Sequence, residues 1–226
     1  MCTHHDKNRR LILSGMGAAA SLMALPTTGF AAEATTVLGG SVQLDGKEVT
    51  SVTRKTFTLK AGAQGSVIRN RDQIFYLDPE TEAAFERGET GIISDVIIAA
   101  GGILSVLGPS RDRNIRISTP NAVGSIRGTT TYFAWQEAEN RSYVCCCYGG
   151  VDLENQDGGT ESLRTRYHSA VVLPRSGGVS PAPYDRPLDH YDDDIEVLEN
   201  LAGRRPRWQL PDGKMHFLSP SPPPLG

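Results

Sequence analysis

Ile117 to Tyr148 reads ISTPNAVGSIRGTTTYFAWQEAENRSYVCCCY: a turn signal, a glycine corner, two strand-like runs and three consecutive cysteines. Ile117 to Thr119 reads as a strand that stops, because Pro120 cannot donate to a ladder and holds Thr119 extended. Asn121 is a turn residue. Ala122, Gly124 and Ile126 then alternate with Val123, Ser125 and Arg127 in a short strand. Gly128 marks a bulge or tight corner. Thr129 to Gln136 (TTTYFAWQ) has the β-branched and aromatic composition of a half-buried strand. Glu137 to Arg141 is polar enough for a hairpin loop. Ser142 to Tyr148 returns as the partner strand, Gly149-Gly150 ends it, and Val151 begins the next. The expected class is all-β.

Upstream of this stretch, residues 37 to 107 read as further short strands. Val37 to Leu44 followed by Asp45-Gly46 is a hairpin signal. Gly65 to Arg69 and Gln73 to Leu77 flank Asn70-Arg71-Asp72 as a second hairpin. Pro79 to Arg87 admits one helical turn, but a strand centred on Ala83 to Glu86 suits its β surroundings better. Ile92 to Ala100 and Gly102 to Leu107 are the most apolar runs and are placed in the core. Arg111 to Asn114 is a solvated turn. The 24 glycines and 14 prolines favour a chain of many turns.

The central stretch resembles the FecR domain, the family named for a ferric-citrate regulator of bacteria. Its step of TP-x-A, then RGT, then an aromatic strand is matched by Thr119, Pro120 and Ala122, by Arg127, Gly128 and Thr129, and by Tyr132 and Phe133. The following G-x-V-x-L step resembles Gly150, Val151 and Leu153. The resemblance covers roughly Val37 to Leu173. It implies a β-sandwich or solenoid of short antiparallel strands and hairpins, with one C-terminal α-helix. Membrane-bound FecR regulators carry a sigma-factor-binding segment ahead of a membrane helix. Ten residues precede the apolar run here, so that role is not carried over. In exported members the resemblance extends to a Tyr-x-Cys-x-Cys-Tyr-Gly step followed by later histidines. A structural role for Arg127, hydrogen-bonding carbonyls at a strand corner, is expected over a catalytic one.

Residues 1–32 read as an export signal. Lys7, Arg9 and Arg10 form a positive start, and Leu11 to Leu25 is apolar or small but too short for a membrane span. Pro26 breaks the run, and Ala31-Ala32 suits cleavage. Arg9-Arg10 within NRRLI also resembles a twin-arginine signal, with an ordinary secretory signal as the other reading. The expected location is periplasmic or secreted, with no stable membrane span in the mature chain. A formal net charge of −3 makes no electrostatic case for nucleic acid.

The cysteines carry the candidate chemistry. Side chains alternate along a strand, so Cys145 and Cys147 share one face with Tyr143, while Cys146 shares the other with Val144 and Tyr148. Two thiolates on one face suit a metal of the zinc type, given two further soft or borderline ligands. His168, read on a strand from Tyr167 to Leu173, is the nearest candidate, and His190 is the second. Buried thiols packing as small hydrophobes, a metal or haem site, and a disulfide or redox pair all stay open. With no Cys-x-x-Cys-His step, covalent haem attachment of the usual kind is unsupported.

Beyond the β domain (37–174), residues 175–188 read as a Pro/Gly-rich linker and 189–203 as a docked helix. Asp192, Asp193 and Asp194 suit its N-terminus, a capping role being preferred over cation binding. Ile195, Leu198, Leu201 and Ala202 form its apolar stripe. Residues 204–226 are expected to be a disordered tail. No nucleophile elbow, phosphate loop or HExxH step occurs, and no enzyme activity is expected. Two function classes remain. One is an exported, non-enzymatic binding or scaffolding module for an envelope protein or ligand. The other is a small periplasmic metal or redox protein built on Cys145, Cys147, His168 and His190.

Overall fold

The computed structural model describes residues 34–108, 114–184 and 186–208. The export signal, Arg111 to Arg113 of the solvated turn and the tail beyond 208 lie outside the described residues. The strands are β1 (Thr35–Leu44), β2 (Lys47–Val49), β3 (Ser51–Val52), β4 (Thr56–Asn70), β5 (Gln73–Leu77), β6 (Glu82–Arg87), β7 (Ile93–Val106), β8 (Ile115–Thr119), β9 (Ala122–Ile126), β10 (Thr130–Gln136), β11 (Arg141–Asn155), β12 (Thr160–Thr165), β13 (Ser169–Pro174) and β14 (Ser180–Pro181). Among the described residues one α-helix, α1 (Asp192–Leu201), follows them. The all-β class with one C-terminal helix holds, and the Ala83–Glu86 segment is the strand β6.

The strands close into rings instead of stacking as two separate sheets. β4 pairs with β5 and β6, and both of these pair with β7. β7 also pairs with β8 and β10, and the second ring runs on through β9 and β11. Long bent strands make this possible: β4 and β11 have 15 residues and β7 has 14. The two halves of each pair with different strands of a ring: β4 pairs with β6 through its first half and β5 through its second, β7 with β6 and then β5, and β11 with β10 and then β9. The β7–β8 pair is parallel, whereas hairpins throughout were expected.

Local chemistry explains the corners. Asp45 and Gly46 join β1 to β2 at φ of 52° and 73°, the paired left-handed turn that fits strand twist. Arg71-Asp72 turns β4 into β5, with Asn70 paired to Gln73. Pro120-Asn121 turns β8 into β9, and Thr119 pairs with Ala122. That turn is pinned from below: Asn121 Nδ2 donates to the Leu173 carbonyl (2.7 Å), and the Thr119 and Ser142 hydroxyls bond at 2.6 Å.

Gly149 does not end its strand. It bends β11 at φ 94°, and the chain continues to Asn155. The register of β10 on β11 slips between Thr130 and Thr131. This bulge turns Tyr148 to the face of Cys147, away from Cys146, where strict alternation would have placed it.

Two cores result. The inner one holds Phe57, Phe75, Phe85, Phe133, Val144 and Cys146. The outer one, on the opposite face of β10 and β11, holds Tyr132, Tyr143, Cys145, Cys147 and Tyr148, and α1 covers it with Ile195 and Leu198. Within the apolar run of β7, Ile97 is 56% exposed and so lies outside the core. The stretch read as a linker contributes β14, which pairs with β13.

Candidate metal centre

β11 supplies the base of the site. Cys145 and Cys147 are fully buried on its outer face, while Cys146 points into the inner core. The Cys146 thiol is pushed up to about 12, burial being the chief cause and the charge of Cys145 the second. All three are free thiols. The pairing of β13 on β11 carries the chain back past this face.

His168 lies one residue before β13, just after a bend at 166–167 and not on the strand itself. Its φ of 26° is unusual for a residue with a side chain, and its backbone N–H donates to the Cys147 carbonyl at 2.8 Å. His190 precedes α1 and is fully buried. The helix is shorter than expected because Asp189 sits at φ 54°, and 189–191 remain outside it. His190 stacks on Tyr132 with ring centroids 4.8 Å apart.

The ligand atoms of Cys145, Cys147, His168 and His190 all lie within 4.8 Å of one another. Cys145 Sγ is 3.5 Å from His168 Nδ1, and Cys147 Sγ is 3.4 Å from His190 Nε2. A tetrahedral ion with bonds of about 2.3 Å to sulfur and about 2.0–2.1 Å to nitrogen sets unlike ligands roughly 3.5 Å apart. The group is close enough to bind a metal.

Each histidine is oriented by a bond at its far nitrogen. His168 Nε2 donates to Asp192 Oδ1 at 2.8 Å, and Tyr167 donates its hydroxyl to Asp192 Oδ2 at 2.6 Å. Asp192 is wholly buried at the first turn of α1. His190 Nδ1 donates to the Leu188 carbonyl at 2.7 Å. The far nitrogen of each ring is therefore fixed as a donor and the near nitrogen faces the thiols, the orientation that metal-ligating histidines adopt.

The electrostatics agree. Burial opposes ionisation of Cys145, but Cys147, His190 and His168 together bring its thiol well below the usual range. Burial and then Cys145 push Cys147 the other way. Burial alone would lower His168, yet Asp192 and Cys145 raise it to about 9.

Beyond the four candidate ligands, Asp192, Tyr167, Tyr143 and the Leu188 carbonyl complete the surroundings; Asp192 was read from sequence as a cap and Tyr143 only as sharing the cysteine face. An aspartate at a helix start next to a candidate histidine was the available signal, and it reads equally well as a cap. Asp194 does serve the helix start, accepting from the Tyr191 N–H at 3.0 Å. The motif residues lie elsewhere. Thr129 is buried against Gly149, Gly128 turns at φ 56°, and Arg127 is exposed, its charge acting on Asp152.

No family model matches this chain, and no curated protein matches it. Two solved structures from Parabacteroides distasonis ATCC 8503, each provisionally named an anti-sigma factor, are similar. One is 11% identical with a TM-score of 0.47, covering 56% of this chain and 59% of that chain. The other is 12% identical with a TM-score of 0.39, covering 49% of this chain and 50% of that chain.

Proposed function

We propose that this chain is a non-catalytic binding module of the bacterial envelope, closed by a mononuclear zinc-type centre of Cys145, Cys147, His168 and His190. The observation that carries the metal assignment is the convergence of four ligand atoms within 4.8 Å, with both histidines oriented from behind. The metal reading has the stronger support of the two function classes. The envelope setting rests on the apolar run of residues 11–25 and on the RGT resemblance.

The donor set favours one ion. In a two-iron Rieske-type cluster the cysteines and histidines ligate different irons, which would separate sulfur from nitrogen. Contacts of 3.4 and 3.5 Å between them call for a shared centre. Four protein ligands fill a tetrahedron, and structural zinc sites are closed in this way, whereas catalytic ones keep an open position. Among the described residues no helix is long and apolar enough to cross a membrane.

The test is metal analysis of the purified protein beside its Cys145→Ser/Cys147→Ser variant. One ion per wild-type chain and none in the variant is expected. A metal-free wild type after purification in zinc-supplemented buffer would refute the centre.

A further inference from the structure

The geometry points to Tyr143 as the positioning residue that sets His190 against the metal, through a relay from its phenol to Leu188 and from Leu188 to the imidazole. This deepens the Cys2His2 reading and rests on it.

His190 belongs to a segment without a ladder of its own, between β14 and α1. Its place must be fixed by individual bonds. Leu188 N–H donates to the Tyr143 hydroxyl at 3.2 Å, and the Leu188 carbonyl accepts from His190 Nδ1 at 2.7 Å. One peptide unit thus ties a β11 phenol to a histidine from the segment ahead of the helix. Tyr143 is fully buried and lies two residues before Cys145 on the same face. Its oxygen accepts from Leu188, which leaves its own proton to turn toward the β11 face that carries the two cysteines. A single hydroxyl on the cysteine strand therefore fixes the peptide that orients His190. Without it, Leu188 loses its acceptor and His190 must be ordered when the ion binds, which weakens binding.

A packing role alone would need only the ring. The Tyr143 ring meets Tyr132 and Tyr184, each with centroids 6.0 Å away. Tyr143→Phe keeps that ring and removes the relay. Tyr184→Phe is the control: its hydroxyl accepts from Arg141 at 2.7 Å and takes no part in the relay.

Co2+ titration followed by visible absorption reads both affinity and ligand field. Wild type and Tyr184→Phe are expected to bind one Co2+ with the same tetrahedral spectrum. Tyr143→Phe is expected to bind about 10–100-fold more weakly, with shifted sulfur-to-cobalt bands. Equal affinity and an unchanged spectrum in Tyr143→Phe would overturn the relay and leave the centre standing. A wild type that takes up no Co2+ would overturn both. Should Tyr143→Phe fail to fold by circular dichroism, amide exchange of the zinc-loaded wild type decides. Protection at Leu188 N–H supports the relay, and exchange at the rate of an open loop refutes it.

Discussion

At the scale of single residues, the site holds its protons unequally. His168 keeps a proton up to about 9 in the metal-free protein because Asp192 and Cys145 outweigh burial. Cys147 also stays protonated, whereas Cys145 is brought down toward the thiolate. A bound metal requires neutral imidazoles and thiolates, so it must expel the protons on His168 and Cys147. The sign follows: affinity weakens as pH falls, and it stops gaining from His168 once pH rises past about 9. Zinc binding at neutral pH is expected to release protons, measured with a pH indicator in weak buffer. Release of none would contradict the assigned charge states.

At the scale of elements, the decisive feature is the crossing of the RGT corner with the bend in β11. A Cβ on Gly149 would lie 2.6 Å from Thr129 Oγ1 and 2.7 Å from Thr129 Cβ, and φ there is 94°. Gly149→Ala is expected to cost about 1–3 kcal/mol of stability in chemical denaturation. Gly46 has nothing within 4 Å and turns at φ 73°, so Gly46→Ala meets backbone strain alone and is expected to cost less. Equal losses would remove the close contact as the reason for that glycine.

The elements also show what can be read from a sequence. The Asp45-Gly46 and Arg71-Asp72 hairpins were legible because turn type is set by local sterics. The shared face of Cys145 and Cys147 was legible because strand side chains alternate. Tyr148 was misplaced because a bulge depends on the partner strand, here the slip between Thr130 and Thr131. The continuity of β11 through Gly149-Gly150 was hidden for a like reason: glycine reads as a stop unless a partner bridges it. β12 does so, pairing Thr165 with Gly149 and Arg164 with Gly150. The parallel β7–β8 pair and the exposure of Ile97 are long-range outcomes with no local signal.

At the scale of the whole molecule, the inner core closes within the β rings, while the outer core needs the C-terminal segment over it. Glu199 of α1 joins that segment to the body, accepting from the Tyr148 and Thr130 hydroxyls and from Arg204. Three ligands come from the β body and its return loop, and the fourth, His190, comes from the covering segment. The ion would thus join the two parts, and counting nitrogens at the metal reports that junction. X-ray absorption at the zinc edge of the loaded protein tests this most directly. The expected shell is two sulfurs at about 2.3 Å and two imidazole nitrogens at about 2.0–2.1 Å. A shell of oxygens, a single imidazole, or scattering from a second metal would contradict it.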